Sequence, residues 1–147
     1  MAIDVSGVTV KLEARDVLHG WRHVFPGFFT GVVAAVLVFD LTRKSSFDHI
    51  QHWRQQVHEH AGEDVDLILV GNKVDLAKSR AIDHETANSL AQTIGAMYVE
   101  CSVARKINVD LVFTLLAGKM AARVPVQPEE PVLSGFEPFG KDTCYIF

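Results

Sequence analysis

Short apolar runs alternate along this chain with segments whose apolar residues recur every three or four positions. Three runs are expected to form strands, at residues 33–39, 66–71 and 97–100, and the first two are rich in β-branched residues. Runs that are apolar on both sides of the pleat are typical of buried parallel strands. The loops at the carboxyl ends of such strands commonly bind ligands, so binding residues are expected there.

Each predicted strand is followed by an amphipathic helix, and the helices are expected at about 47–57, 84–94 and 107–122. Ser45 or Ser46 is the expected N-cap of the first helix and Asp83 that of the second, because short polar side chains can accept a first-turn backbone N–H. Such strand-helix alternation indicates parallel strands joined by right-handed crossovers. The predicted fold class is therefore α/β, a three-layer domain with a mostly parallel sheet.

The two ends of the chain have different patterns. Residues 3–13 alternate loosely around Gly7, which predicts a strand, a turn and a second strand. Beyond Arg123 the composition changes to proline, glycine and glutamate, which is typical of an extended tail. We expect one domain over residues 1–122 and a flexible carboxyl-terminal tail over residues 123–147.

Composition narrows the class of protein. The 147 residues suffice for one domain with a sizeable core. A formal net charge of -4 and a hydrophobic fraction of 48% leave no broad basic surface, so nucleic acid is not an expected partner. The longest apolar run, residues 32–39, is too short to span a bilayer, and the amino terminus lacks the order of a signal peptide. We expect a soluble, intracellular body.

Histidines gather on the polar face of the first predicted helix, at His49, His52, His58 and His60. Because no cysteine or clustered carboxylate completes a tetrahedral site there, we expect a solvated surface rather than a metal site. The two cysteines, Cys101 and Cys144, are too few for a disulfide framework, and neither is placed like a metal ligand.

The loop after the second predicted strand reads Gly71-Asn72-Lys73-Val74-Asp75. A carboxylate can accept two parallel N–H donors, which matches the ring N–H and exocyclic amine of guanine, whereas adenine offers no such pair. Asp75 is therefore a candidate base reader. The stem of Lys73 can lie against a purine while its ammonium stays in water, and the Asn72 side chain can bridge neighbouring loops.

This loop and three other stretches resemble a small GTPase of the Ras superfamily, most closely the Rab branch. The resemblance covers about residues 9–120 and rests on Phe39-Asp40-Leu41-Thr42, Phe47 and Trp53, Gly71 to Leu76, and Val99-Glu100-Cys101-Ser102. It implies a P-loop NTPase-like fold, GTP or GDP as ligand, and a guanine site made of Asn72, Lys73, Asp75, Ser102 and Val103. The family has Ala where Val103 stands, and a contact through the backbone N–H tolerates this change where the methyls have room.

The phosphate side of the family's site has no match in these residues. The sequence contains no Gly-x-x-x-x-Gly-Lys-Ser/Thr loop and no first switch, which would supply a Thr to magnesium. The nearest match to the family's Asp-x-x-Gly is Asp16-Val17-Leu18-His19, where Gly20 comes one position late and no Gln follows. We expect a domain truncated at the amino terminus, without its first strand and helix, in which magnesium is implied by resemblance alone, its ligands and catalytic residues are absent, and GTP is not hydrolysed at a useful rate.

The last four residues, Cys144-Tyr145-Ile146-Phe147, loosely match a prenylation pattern, and a terminal Phe points to geranylgeranyl. Rab proteins end in prenylated cysteines, so the resemblance makes Cys144 a candidate lipidation site. The tail has no polybasic run or second cysteine, and one lipid gives weak, reversible membrane association. The expected location is the cytoplasmic face of intracellular membranes, or the cytosol if Cys144 is not prenylated.

The resemblance as a whole implies a Rab-type small GTPase of intracellular vesicle trafficking, which binds guanine nucleotide and Rab-type effector and regulator proteins. One alternative is a non-catalytic Rab-derived binding module or truncated isoform, because a base contact cannot replace a phosphate cradle. Another is a flavodoxin-like or receiver-like domain. That reading predicts no base-reading loop, and residues 72–75 together with Cys101-Ser102 argue against it.

Overall fold

A computed structural model of the protein describes residues 1–15, 26–123 and 143–146. The strands are β1 Ala2–Val5, β2 Val8–Ala14, β3 Ala34–Asp40, β4 Asp66–Asn72, β5 Met97–Glu100 and β6 Thr143–Ile146. The helices are α1 Lys44–Asp48, α2 Ile50–Ala61, α3 His84–Thr93 and α4 Val109–Ala121, with 3-10 turns at Pro26–Phe29 and Val74–Ser79.

Strands β3, β4 and β5 form a parallel sheet in that order, with helices on the connections. Pairing of β3 with β4 ends at Asp40 opposite Asn72, and pairing of β4 with β5 ends at Gly71 opposite Glu100. The strands are those that the apolar runs predict. Because all three run in the same direction, the loops that follow them leave the same edge of the sheet.

Apolar side chains cover both faces of this sheet. On one face Phe39 and Leu69 join a cluster with α2 and α3, and on the other Ile68 and Val70 join a cluster with Leu116 of α4. Successive side chains of a strand point to opposite faces, which is why the neighbours Ile68 and Leu69, both 0% exposed, belong to different clusters. A sheet between two helical layers confirms the predicted three-layer α/β fold.

Strands β1 and β2 form an antiparallel hairpin that turns at Ser6-Gly7. Both turn residues have positive φ, 49° and 85°, which a type I′ turn requires and which glycine adopts without strain. Val10 and Leu12 of β2 are buried in the same cluster as Ile68. The hairpin therefore shares the core that lies beneath α4.

A further strand forms near the carboxyl end of the chain. β6 pairs in parallel with β2, from Lys11 opposite Thr143 to Ala14 opposite Ile146, and it also contacts β3. At Thr143–Ile146 the structure thus has a strand instead of the expected extended tail, because composition does not reveal that a strand edge elsewhere offers backbone partners. Residues 124–142 lie outside the described part of the chain.

The first helical segment begins differently from the prediction. The expectation that Ser45 or Ser46 caps it is wrong, because Arg43 is the N-cap and makes no side-chain capping bond. Ser46 Oγ instead accepts the Asp40 N–H at 3.0 Å and donates to the Arg43 carbonyl at 2.7 Å. The segment also divides at His49 into α1 and α2.

Helix α3 begins where the sequence predicts. The Asp83 carboxylate accepts the Thr86 N–H at 2.7 Å and the Thr86 hydroxyl at 2.9 Å. The bond from the Thr86 N–H is the main reason that the pKa of Asp83 is lowered. The predicted cap is confirmed.

The histidine-bearing helix α2 is partly exposed. His49 and His52 face solvent, whereas His60 stacks on Phe29 with ring centroids 5.3 Å apart. Across residues 1–15, 26–123 and 143–146, no group of three His, Cys, Asp or Glu side chains is arranged to hold a metal ion. None of the described helices is long and apolar enough to cross a bilayer.

Candidate functional site

Two loops, residues 72–79 and 101–108, follow β4 and β5 and lie side by side at the carboxyl edge of the parallel sheet. Main-chain bonds join them: the Val74 N–H donates to the Cys101 carbonyl at 3.0 Å, and the Cys101 N–H donates to the Gly71 carbonyl at 2.9 Å. We call residues 72–79 the first base loop and residues 101–108 the second base loop. All five residues predicted to bind guanine lie on them.

The Asn72 side chain bridges the two base loops. Its Oδ1 accepts the Lys73 N–H at 2.8 Å and the Val103 N–H at 3.2 Å, with the Cys101 thiol 3.7 Å away. The two N–H bonds use the two lone pairs of the amide oxygen. Within the described residues the Asn72 Nδ2 group has no acceptor, so it stays available as a donor. The structure thus contains the bridge between loops that the sequence predicts for Asn72.

Lys73 is fixed at both its backbone and its ammonium. Its left-handed conformation, φ 71° and ψ 36°, is uncommon for a residue with a side chain. Its Nζ lies 2.7 Å from Asp40 Oδ2, while Asp40 Oδ1 accepts the Thr42 N–H at 2.8 Å and the Thr42 hydroxyl at 2.6 Å. The Lys73 side chain remains 48% exposed, so its stem is open to a ligand.

Asp40 is a residue that the sequence analysis quoted only for the resemblance, without a role. Partial burial raises the pKa of this carboxyl, but hydrogen bonds from Lys73 and Thr42 outweigh burial and lower the pKa to about 2. The signal that could have found it is its position directly after a buried parallel strand. Its charge at neutral pH holds the Lys73 ammonium in place.

Asp75 lies in the 3-10 turn Val74–Ser79 and is exposed. The Leu76 N–H donates to the Lys73 carbonyl at 2.9 Å, which tightens the start of this turn. No group in the described part of the chain donates to the Asp75 carboxylate. Both of its oxygens are therefore available as acceptors at this edge.

The second base loop is closed by its own backbone. Ser102 is 0% exposed; it exchanges two main-chain bonds with Ile107, at 3.0 and 2.9 Å, and its Oγ accepts the Arg105 N–H at 3.1 Å. Val103 is 62% exposed, so its methyls have the room that the replacement of Ala requires. The Val103 N–H already donates to Asn72, and a base carbonyl would compete with the amide oxygen for it.

Glu100, the last residue of β5, collects four side-chain donors or potential donors. Arg80 approaches as a fork, with Nη1–Oε1 2.9 Å and Nη2–Oε2 2.6 Å. The Tyr98 hydroxyl donates at 2.8 Å and His84 Nδ1 lies 3.2 Å away, while the Glu100 carbonyl accepts Asn108 Nδ2 at 2.8 Å. We call Glu100, Arg80, Tyr98 and His84 the Glu100 cluster.

The charges of the Glu100 cluster reinforce one another. The Arg80 hydrogen bonds lower the pKa of Glu100 to about 2, although burial opposes them. The same contact raises the pKa of Arg80. Burial, followed by the bond to Glu100, raises the pKa of the Tyr98 hydroxyl. At neutral pH the cluster therefore contains a carboxylate, a guanidinium and a neutral phenol.

The sequence pattern does not predict this cluster, although Glu100 is one of the residues that carry the resemblance. Arg80 and Glu100 are 20 positions apart, and neither lies on a periodic apolar stripe. The sequence offers one weak signal: Arg80 directly follows the first base loop, Glu100 directly precedes the second, and the two carry opposite charges. Strand register is what brings them together.

The remaining residues singled out from the sequence lie at the start of the second base loop, in β6, or outside the described part of the chain. Cys101 is buried, and burial raises the pKa of its thiol, which disfavours the reactive thiolate. The backbone of Cys144 pairs with Leu12 in the sheet. The segment Asp16-Val17-Leu18-His19, with Gly20, falls within residues 16–25 and is outside the described part of the chain.

Known proteins similar to this chain are Ras-related proteins. A sequence profile of the Ras family matches residues 2–122. Ras-related protein Rab-26 of Bos taurus is 40% identical over 131 residues, which cover 88% of this chain and 51% of that protein. Ras-related protein Rab-37 of Homo sapiens is 36% identical over 131 residues, which cover 88% of this chain and 59% of that protein. Ras-related protein RIC1 of Oryza sativa subsp. japonica is 31% identical over 128 residues, which cover 86% of this chain and 63% of that protein. The chain spans about half the length of Rab-26.

The family match extends over β1 to β5 and all four helices, and it includes both base loops. The parallel sheet between two helical layers agrees with the fold that the resemblance implies. This chain therefore belongs to the Ras family, as a Rab-like small GTPase.

Proposed function

We propose that this chain binds the guanine base of GTP or GDP between its two base loops and acts in Rab-type intracellular vesicle trafficking. The observation that carries base binding is the exposed Asp75 carboxylate, which has no donor within the described residues and lies on the first of the two loops that Asn72 joins. A carboxylate with both oxygens available complements the ring N–H and exocyclic amine of guanine.

The other loop residues have supporting roles in this proposal. The stem of Lys73 lies along the purine, with its ammonium held by Asp40 at 2.7 Å. Asn72 keeps the loops together and has Nδ2 left to donate to a ring nitrogen. Ser102 holds the second base loop closed, and the Val103 N–H offers a donor to the base carbonyl in place of its bond to Asn72.

The described residues fit a base better than they fit magnesium. Within residues 1–15, 26–123 and 143–146 no group of three His, Cys, Asp or Glu side chains is arranged to hold a metal ion, and the 147-residue sequence contains no phosphate-loop motif. We therefore assign no step to magnesium and infer that these residues alone do not hydrolyse GTP at a useful rate. A Rab-derived binding module is the second candidate function for these residues taken alone, because they include both base loops but no Gly-x-x-x-x-Gly-Lys-Ser/Thr motif.

The expected partners follow from the Rab-like assignment. They are guanine nucleotide, effector and regulator proteins of Rab type, and intracellular membranes reached through a lipid on Cys144. One lipid without a basic segment supports reversible association at the cytoplasmic face, with a cytosolic fraction. The relatives named as Rab proteins, which match most of this chain, support the trafficking role, and the pattern Cys144-Tyr145-Ile146-Phe147 supports lipidation.

The test of base binding is an NMR titration with GDP and ADP on isotope-labelled protein. Without a phosphate cradle we expect a dissociation constant of about 1 mM for GDP, equivalent to about 4 kcal/mol. GDP should shift the amides of Lys73 and Val103, and ADP should bind at least tenfold more weakly. Asp75→Ala should weaken GDP binding by about 1–3 kcal/mol, the usual worth of a paired base contact.

The matched control is Lys78→Ala, which changes an exposed charge on the same 3-10 turn. It should leave GDP affinity unchanged. Asp75→Asn presents one donor and one acceptor in place of two acceptors, so it should favour xanthosine diphosphate over GDP. Equal affinity for GDP and ADP, or equal effects of Asp75→Ala and Lys78→Ala, would contradict base reading by Asp75.

A further inference from the structure

The Glu100 cluster connects the ends of both base loops. Arg80 follows the 3-10 turn that ends the first base loop. Asn108, at the end of the second base loop, donates to the Glu100 carbonyl at 2.8 Å, and Glu100 directly precedes Cys101 at the start of that loop. Contacts to one residue therefore restrain three of the four loop ends.

The cluster reaches the fourth end, at Asn72, through the glycine before it. A Cβ placed on Gly71 would lie 2.9 Å from the Tyr98 hydroxyl and 3.0 Å from Leu41 Cδ2. The Tyr98 hydroxyl thus lies directly against the backbone where the first base loop begins, and it donates to Glu100 Oε1 at 2.8 Å. Glycine at this position allows that close approach.

The Arg80–Glu100 pair has the geometry of a rigid link. Its side chains are only 26% and 16% exposed, and both guanidinium nitrogens bond to the carboxylate. A planar two-bond contact fixes orientation as well as distance, which a single-point ion pair does not. Partial burial also reduces screening by salt.

We propose that Arg80 and Glu100 are positioning residues for the base site, which set the separation between Asp75 on the first base loop and Val103 on the second. The proposal rests on the proposed binding of guanine. The bond from the Val74 N–H to the Cys101 carbonyl crosses between the loops and reports this separation without any ligand.

The first measurement is hydrogen exchange of the Val74 amide in the ligand-free protein. Arg80→Met keeps a long stem but removes the fork, Arg80→Lys keeps the charge, and Lys78→Met is the control. Exchange should become at least tenfold faster in Arg80→Met, intermediate in Arg80→Lys and unchanged in Lys78→Met. Unchanged exchange in Arg80→Met overturns the proposal, and so does equal acceleration at the Ala91 amide of α3, which would indicate general destabilisation.

The second measurement is the ratio of affinities for GDP and inosine diphosphate, which lacks the exocyclic amine that Asp75 would read. A positioning role predicts that Arg80→Met brings this ratio toward one and that Arg80→Lys restores part of it. A purely structural role lowers the melting temperature and leaves the ratio unchanged, which overturns the proposal. If the unaltered protein binds neither nucleotide, the proposed function fails, and the exchange measurement still decides whether Arg80 sets the loop separation.

The pairing of β6 with β2 carries a second, independent inference. The register places Cys144 opposite Leu12 and Tyr145 opposite Glu13, and β6 also contacts β3. The backbone that contains the candidate lipidation site is therefore part of a sheet. A segment whose backbone is paired within its own domain is not available to the extended-peptide groove of a modifying enzyme.

We infer that release of β6 from β2 controls the access of a lipid-transferring enzyme to Cys144. This inference rests on the proposed lipidation of Cys144, but the pairing of β6 with β2 is independent of it. Leu12 and Met1 exchange main-chain bonds at 2.7 and 2.9 Å, so the backbone groups of Leu12 face β1. Successive residues of a strand direct these groups to opposite sides. The Glu13 N–H therefore faces β6, and Glu13→Pro removes a donor on that side alone.

The experiment compares Glu13→Pro with Glu13→Ala, which keeps the N–H. Hydrogen exchange at residues 144–146 and geranylgeranyl transfer in vitro should both become several-fold faster in Glu13→Pro and stay unchanged in Glu13→Ala, with Cys144→Ser as the blank. Exchange in the unaltered protein as fast as in the free peptide overturns the pairing. Protection that depends on protein concentration also overturns it, because a second copy would then supply the strand. Faster exchange without faster transfer overturns the control of access.

Discussion

The base loops and the hairpin with β6 hold their backbones in different ways. Around the base loops, charged and polar side chains fix the chain: Asn72 bridges the loops, Lys73 pairs with Asp40, and Arg80 forks onto Glu100. In the hairpin region the described polar contacts are mainly backbone ladders, together with the amino terminus on Leu12 and an exposed bond from Thr9 to Asp4.

This difference indicates where specificity lies. Ladder bonds use groups that every non-proline residue carries, so the hairpin tolerates many sequences that keep Val10 and Leu12 apolar. The two-bond contact of Arg80 with Glu100, the bridge made by Asn72 and the left-handed conformation of Lys73 depend on particular side chains. Substitutions of Asn72, Lys73 or Arg80 should therefore change nucleotide recognition, whereas substitutions in the hairpin should leave it unchanged.

The largest expected effect would show whether the two regions unfold together. Ile68 is 0% exposed and belongs to the cluster that contains Val10 and Leu12 of the hairpin. Ile68→Ala should lower the free energy of unfolding by about 2–5 kcal/mol, because it leaves a cavity in a core common to both regions. Urea unfolding followed by hydrogen exchange in each region is the measurement.

Both regions should lose stability by the same amount in Ile68→Ala, whereas Leu76→Ala, at a position 46% exposed, should change it by less than about 0.5 kcal/mol. If the hairpin loses protection from hydrogen exchange while the base loops keep theirs, the two regions are separate cooperative units that also unfold separately.

The next largest effect is expected at Gly71, whose backbone lies close to the Tyr98 hydroxyl and Leu41. Gly71→Ala places a methyl about 3 Å from the Tyr98 hydroxyl and Leu41, and should destabilise the protein by about 1–3 kcal/mol through overpacking. A double-mutant cycle with Tyr98→Phe measures the coupling. Removal of the hydroxyl should recover part of the loss. Full additivity of the two substitutions would show that the contact with Tyr98 is not the cause.

Acid should weaken the base-loop region through Glu100. Its pKa is about 2 in the folded protein against 4.5 ordinarily, because Arg80 donates to the carboxylate. The unfolded chain therefore takes up the proton first as pH falls. The stabilisation is fully present above about pH 5 and is lost between about pH 4.5 and pH 2, with a size of about 1–2 kcal/mol after solvent screening.

The measurement is urea unfolding from pH 7 to pH 3, with Glu100→Gln and the exposed Glu85→Gln as the matched pair. The slope of stability with pH in this range should fall in Glu100→Gln and stay as it is in Glu85→Gln. Equal slopes in both variants would mean that the carboxylate of Glu100 gives no net stabilisation to the folded state.

The fold was largely predictable because its signals are local. The strand at 66–71 and the Asp83 cap each depend on a few neighbouring residues. Ser46 misled the prediction because a serine near a helix start can bond to other groups, here the backbone of Asp40 and Arg43. The position of β6 depends on a partner strand far away in the sequence, which no local pattern contains.

The site was predictable only in part. The bridging role of Asn72 follows from one side chain and the loop beside it, and the structure contains that bridge. The Asp40–Lys73 and Arg80–Glu100 pairs require the register of β3, β4 and β5, which sequence periodicity does not give. Guanine recognition by Asp75 stays a prediction, to be decided by the titration.

The smallest expected effect is that of an exposed ion pair outside both regions. Lys44 and Asp48 lie 2.8 Å apart on α1, but their side chains are 72% and 54% exposed. Lys44→Ala should change the free energy of unfolding by less than about 0.5 kcal/mol, because water and salt screen the pair. Lys44 also stands in the first helical turn, where a positive charge opposes the helix dipole, so its removal offsets part of the loss.

The measurement is urea unfolding of Lys44→Ala at low and high salt, with Arg80→Met measured for comparison. A loss in Lys44→Ala as large as that in Arg80→Met would mean that burial and fork geometry do not distinguish the base loops from an ordinary surface pair.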